Sequence, residues 1–120
     1  MSRLSDALRQ HVLQPVGAGE PAGGHDHRGE ARNAACRDHL VLYWAEDQGQ
    51  VARAGFRARG CPATLAYGSV AAEALPGLPS GEGLAQRLRA AVVARYGEPA
   101  ALHRHALALV DEAVADAGRG

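Results

Sequence analysis

The stretch Val51-Ala52-Arg53-Ala54-Gly55-Phe56-Arg57-Ala58-Arg59-Gly60-Cys61-Pro62-Ala63-Thr64-Leu65-Ala66 decides the fold. Its first nine residues alternate. Ala52, Ala54, Phe56 and Ala58 lie on one side, with Arg53, Arg57 and Arg59 on the other. A period of two is that of a strand with one buried face. After Cys61 the period changes: Leu65, Ser69 and Ala72, flanked by Ala66 and Val70, recur at helical spacing. Gly60 permits the sharp change of direction between the two elements. Pro62 suits the first turn of a helix, where a missing N–H costs nothing. Cys61 therefore falls at or beside a helix N-cap, where unpaired N–H groups and the helix dipole favour a thiolate. The alternative is a small buried cysteine at a strand–helix turn.

Working outward, His39-Leu40-Val41-Leu42-Tyr43-Trp44-Ala45 is aliphatic and aromatic and reads as a second strand. Asp47-Gln48-Gly49-Gln50 is a turn, so residues 39–45 and 51–59 form an antiparallel hairpin. Residues 31–36 are a candidate third strand at one edge. An isolated hairpin is marginal in water, so helices must cover its apolar face. Ser5-Asp6 caps a first helix that runs to about Gln14 and ends at Pro15. His11 sits at the margin of its apolar stripe Leu4, Leu8 and Val12. The Cys61 helix runs to about Leu75 and is broken by Pro76-Gly77-Leu78-Pro79. Helices over 82–95 and 99–117 follow, the last with its apolar face at Leu102, Ala106, Leu109, Ala113 and Val114. The expected fold is α+β: a small antiparallel sheet of two to three strands, covered by one N-terminal and three C-terminal helices in a single domain over 1–120.

Residues 16–32 have no period and many glycines, and read as a mobile loop. His25-Asp26-His27 within it offers two imidazoles and a carboxylate, a loose metal site or a solvated loop. The 13 basic and 13 acidic side chains balance, so charge alone does not point to a nucleic acid or a membrane. No apolar run approaches the ~20 residues of a membrane span. The N-terminal Met1-Ser2-Arg3-Leu4-Ser5-Asp6 lacks the apolar core of a secretion signal. Two cysteines in such a chain suggest a reducing, cytoplasmic setting, where ligand roles outweigh disulfides.

Cys36 precedes the first strand of the hairpin and Cys61 follows the second. An antiparallel pair goes out and returns, so both lie at one end. Asp38 is two residues past Cys36 and shares its face if the strand has begun. His103 lies in the first turn of the last helix and joins them if that helix starts at the same end. Two thiolates, a carboxylate and an imidazole make a shell for zinc or iron.

These residues resemble the NifU N-terminal domain, IscU and SufU scaffold proteins of iron–sulfur cluster assembly, over most of the chain. His11-Val12-Leu13-Gln14-Pro15 is similar to the family's His-x-x-x-Pro segment, and Cys36-Arg37-Asp38 to its Cys-Gly-Asp. The strand ending in Gly60-Cys61 matches its second strand. Leu102-His103-Arg104-His105-Ala106-Leu107-Ala108 looks like its Leu-His-Cys-Ser-x-Leu-Ala. The resemblance implies an iron–sulfur scaffold or carrier, not an enzyme. Such a protein takes sulfur from a cysteine desulfurase and holds iron, zinc or a labile 2Fe-2S cluster for apo-proteins. It implies Cys36, Asp38, Cys61 and His103 as ligands. Arg37 stands in place of the motif glycine. Arg104 stands in place of the third cysteine and cannot ligate iron; both arginines are candidate modulators of the site. On a continuous helix His105 would be rotated ~200° from His103, onto the far side. The alternatives are an interaction module that docks a desulfurase without building clusters, and an unrelated thiol enzyme with a Cys61–His103 pair.

Overall fold

The hairpin forms as the alternation requires. In this computed structural model residues 4–34 and 37–119 are described, with side chains to residue 117. Strand β2 (Asp38–Asp47) pairs antiparallel with β3 (Gln50–Arg59), His39 opposite Arg59 and Asp47 opposite Gln50. Gln48 and Gly49 turn the chain with φ of 53° and 79°, the two positive values of a type I′ hairpin, whose twist matches that of the strands. Helix α1 (Asp6–Leu13) begins where Ser5 caps it: its Oγ accepts the Leu8 N–H at 3.2 Å.

The third strand is longer than expected and starts earlier. Strand β1 (His27–Asn33) pairs antiparallel with β2, giving the order β1-β2-β3. The candidate strand over 31–36 missed the start at His27 because the inward positions, Gly29 and Ala31, are too small to show a hydrophobic period. The reason is helix α4 (Arg104–Arg119), which packs against β1. A Cβ on Gly29 would collide with the Ala113 carbonyl oxygen and carbon. Asp116 of α4 also accepts the Glu30 N–H at 2.9 Å, satisfying one donor on the exposed edge of β1.

Segment 16–26 is a crossover rather than free loop. Gly19 N–H donates to the Phe56 carbonyl at 2.7 Å and Phe56 N–H to the Gly17 carbonyl at 2.9 Å, covering the edge of β3. From there the chain must cross the outer face of the sheet to reach β1. It does so at Gly55, where a Cβ would meet the Gly19 carbonyl and Pro21. The tripeptide His25-Asp26-His27 does not gather into a metal site: its side chains are taken up by neighbouring residues. His25 meets Glu20 at 3.6 Å and the Tyr43 ring; His27 meets Glu46 at 2.8 Å and stacks on Trp44; Asp26 accepts the Glu46 N–H.

The inner face of the sheet presents Leu40, Leu42, Trp44 and Phe56 to helix α2 (Pro62–Ala74) and to α4. Each fully buried leucine contributes about 1.5–3 kcal/mol. Helix α2 is the hub, packed against α1, β2, β3, α4 and helix α3 (Leu84–Tyr96). Its Ala66, Val70 and Ala71 are fully enclosed. At Gly68 the approach to the sheet is close enough that a Cβ would lie 2.6 Å from the Phe56 ring.

His11 is buried, not marginal, and ties α1 to the hub. Its Nδ1 lies 2.7 Å from Ser69 Oγ and its Nε2 2.7 Å from the Tyr96 hydroxyl. Ser69 Oγ accepts the Val16 N–H at 2.7 Å, and Tyr96 donates to Glu73 at 2.7 Å. Tyr96 O–H donates to Glu73, so its oxygen accepts the proton of His11 Nε2. Burial first, then the hydrogen bond to Glu73, pushes the Tyr96 hydroxyl up to about 12. Among the described residues no helix is long and apolar enough to cross a membrane.

Candidate metal centre

Three chain segments meet at the open end of the hairpin. Asp38 begins β2, Gly60 and Cys61 follow β3, and His105 lies in the first turn of α4. The register that sets His39 opposite Arg59 places Asp38 beside the turn into α2. Asp38 Oδ1 accepts the Cys61 N–H at 2.8 Å, which holds the turn to the strand. Gly60 has φ of 122°, and a Cβ there would run into the Asp38 carboxylate. Glycine is therefore needed both for the backbone angle and for the close approach.

Cys61 is the N-cap residue of α2, with Pro62 at the first helical position. Its side chain makes no capping bond, so Sγ is left free to point at the group opposite. His105 Nε2 stands 3.1 Å from Cys61 Sγ and 3.2 Å from Asp38 Oδ2. Cys61 Sγ lies 3.6 Å from Asp38 Oδ2 and 3.5 Å from the Thr64 hydroxyl. Asp38 is buried, while Cys61 and His105 are half-buried, so the triangle has a closed floor and an open mouth.

A sulfur, a nitrogen and an oxygen so arranged suit one ion. Metal–ligand bonds of about 2.0–2.3 Å in a tetrahedron put ligand atoms roughly 3.3–3.8 Å apart. The three separations here need to change by only a few tenths of an ångström. The N-terminus of α2 adds a positive potential at the sulfur. Among the described residues this is the group of His, Cys, Asp and Glu side chains close enough to share an ion.

The sequence-derived ligands divide accordingly. Asp38 and Cys61 meet. Cys36 lies outside the described residues. His103 lines the apolar groove beside the centre together with Leu4, Arg9, Cys61, Leu102 and His105, but stands outside the three-residue cluster. His105, expected on the far side, is in the cluster. The expectation failed because it took His103 as the imidazole that faces the centre. Residues Ala101–His103 form a tighter 3-10 turn, and the α-helix starts at Arg104. The sequence carried the right signal elsewhere: His105 is four residues before Leu109 and eight before Ala113, both on the buried face of α4.

Arg104 is exposed, and so is Arg37. Arg37 has φ of 56°, the left-handed conformation that glycine would adopt freely and that costs other residues about 1–2 kcal/mol.

A three-stranded antiparallel sheet with helices on one face and a Cys/Asp/His triangle at the open end of its hairpin defines an α+β fold with a candidate metal site. Residues 5–117 match the model of the NifU-like N-terminal domain, and the chain belongs to that family. The fold is similar to a nitrogen-fixing NifU-like protein (N-terminal) from Brucella abortus. There the TM-score is 0.69 and the identity 21%, over 96% of this chain and 91% of that one. It is also similar to a protein from Fervidobacterium islandicum assigned as an iron–sulfur cluster assembly scaffold for the SUF system. That match has a TM-score of 0.62 and 16% identity, over 94% of each chain. No curated protein matches the sequence.

Proposed function

We propose that this chain is an iron–sulfur cluster assembly scaffold or carrier of the cytoplasm, and not an enzyme. It takes iron, zinc or a labile 2Fe-2S cluster as cargo and passes it to apo-proteins, with a cysteine desulfurase as the source of sulfur. The observation that carries this reading is the Asp38–Cys61–His105 triangle in a chain of the NifU-like N-terminal family. In the proposal Cys36 supplies the fourth ligand. His105 replaces His103 as the imidazole and answers for the missing third cysteine at Arg104. His103 stays at the rim, where cargo enters and leaves.

The donor set fits such cargo. Two thiolates, one imidazole and one carboxylate satisfy either tetrahedral zinc or the irons of a small cluster. Ligation requires Nε2 of His105 and both sulfurs to be free of protons, so loading releases protons and weakens in acid. The half-open mouth suits a cargo that must depart.

Anaerobic purification followed by metal analysis and visible absorption tests the reading. Charge-transfer bands support a cluster, and stoichiometric colourless zinc supports a closed metal site. C61A should abolish either one. Metal retained in full by C61A, or neither metal nor colour in the native protein after reconstitution, contradicts the proposal and leaves the module that docks a desulfurase without building clusters.

A further inference from the structure

The outer face of the sheet is divided by the crossover. Segment 16–26 covers the half around Tyr43 and Gly55, and Arg53 is held there by the Gly23 and Gly24 carbonyls at 2.6 and 2.8 Å. The other half, toward the metal centre, is open. Register puts Arg32, His39 and Arg59 in one row across it, and Glu30, Val41 and Arg57 in the next, with Arg28 beside Tyr43 beyond. Residues two apart on a strand share a face about 7 Å apart, so four guanidinium groups are gathered on a small area. Among the described residues the carboxylates that meet them are Glu30 and Glu20.

Those carboxylates leave most of the donors free. Glu30 is taken first by His39 at 2.7 Å, with Arg28 and Arg32 only at 3.8 and 3.7 Å. The hydrogen bond from His39 is also the largest cause holding the Glu30 carboxyl below its ordinary value. Glu20 reaches Arg57 at 3.6 Å. Exposed pairs at such distances contribute little. Arg59 has no carboxylate partner among the described residues and is exposed. The whole chain is formally neutral, so this excess of positive charge is a local segregation. Packing like charges together has an unfavourable self-energy that a bound anion relieves.

Between these groups lies a cavity of about 310 Å³, walled by Arg28, His39, Arg57 and Arg59 over Val41 and Tyr43. A second cavity, of about 380 Å³, shares His39 and Arg59 with it and runs on to Asp38. We propose that the open half of the outer sheet face binds a small polyanion carrying two or more phosphate or carboxylate groups, clamped by Arg28, Arg57 and Arg59. Guanidinium forks bind such oxyanions through paired N–H donors. The cavity size suits a small molecule. Glu30 and Glu20 interrupt the basic area and would repel an extended polyanion laid across it. This site does not depend on the identity of the cargo at Cys61.

The test is an NMR amide titration of the full chain at constant ionic strength, with inorganic pyrophosphate, citrate and acetate as separate probes. Pyrophosphate or citrate should give saturable shifts centred on Val41, Tyr43, Arg57 and Arg59, at least about tenfold tighter than acetate. Comparing the two probes separates a phosphate ligand from a carboxylate one. R57A/R59A should weaken that binding at least about tenfold, R28A on a separate strand should weaken it too, and R89A on α3 should leave it unchanged. The substituted side chains are on the surface, and the thermal midpoint checks that the variants fold. Shifts scattered over all arginines, equal affinity for acetate, no effect of R57A/R59A and R28A, or tighter binding of a single-stranded oligonucleotide than of pyrophosphate would overturn the proposal.

Discussion

His105 Nε2 stands 3.1 Å from Cys61 Sγ, although 44 residues separate them. The contact closes a triangle with Asp38 and follows from the phase of α4, because His105 lies on the same stripe as the buried Leu109 and Ala113. His103 belongs to the 3-10 turn before Arg104 and stands outside the triangle.

Gly60 is the backbone condition for that triangle. G60A should destabilise the protein by about 2–4 kcal/mol, from the strained φ and the collision with Asp38 together. D38A removes the acceptor of the Cys61 N–H and should cost about 1–3 kcal/mol. D38N keeps the shape and should cost less stability while weakening metal binding. Urea unfolding of the metal-free variants, paired with metal titration, separates the two effects. Equal stability of G60A and the native chain would contradict the account.

Gly29 carries the contact between β1 and α4. G29A should cost about 1–3 kcal/mol or more, because its Cβ would overlap the backbone of Ala113, which cannot step aside as a side chain can. Thermal unfolding measures it. G77A, where nothing lies near the added carbon although φ is 93°, is the comparison for backbone strain without collision.

These glycines mark the boundary of what the sequence discloses. The β2–β3 hairpin was legible because Phe56, Leu40 and their neighbours give a clear period, and Gln48-Gly49 a clear turn. Strand β1 was only half legible: where a helix backbone comes this close, the inward residues must be small, and small residues carry no hydrophobic signal. Cys61 and Asp38 could be placed from topology alone, since the two ends of a hairpin coincide. His105 could not be placed by counting from His103. The stripe through Leu109 and Ala113 held the information.

Tyr96 sets an alkaline limit on the tie between α1, α2 and α3. Its hydroxyl ionises near 12 in the folded chain against about 10 in the unfolded one. A raised folded value means that its contribution is complete below pH ~10 and is lost as pH rises from about 10 to 12. Y96F should remove that alkaline slope and cost about 1–2 kcal/mol at neutral pH, because His11 Nε2 and Glu73 each lose one hydrogen bond. Stability measured by denaturant from pH 8 to 12, with phenolate absorbance as the monitor, checks it. An unchanged slope in Y96F would contradict the assignment.

Arg37 sits in a left-handed backbone conformation at the edge of the centre. R37G should be neutral or stabilising by up to about 1 kcal/mol, and R37V destabilising by about 1–2 kcal/mol. Thermal midpoints of the metal-free proteins distinguish them, and equal midpoints would deny any strain at this residue.

X-ray absorption at the zinc edge of the zinc-loaded protein, comparing H105A with H103A, addresses the triangle itself. The account predicts a sulfur shell near about 2.3 Å with imidazole scattering that persists in H103A and vanishes in H105A. Imidazole scattering lost in H103A and kept in H105A would contradict it.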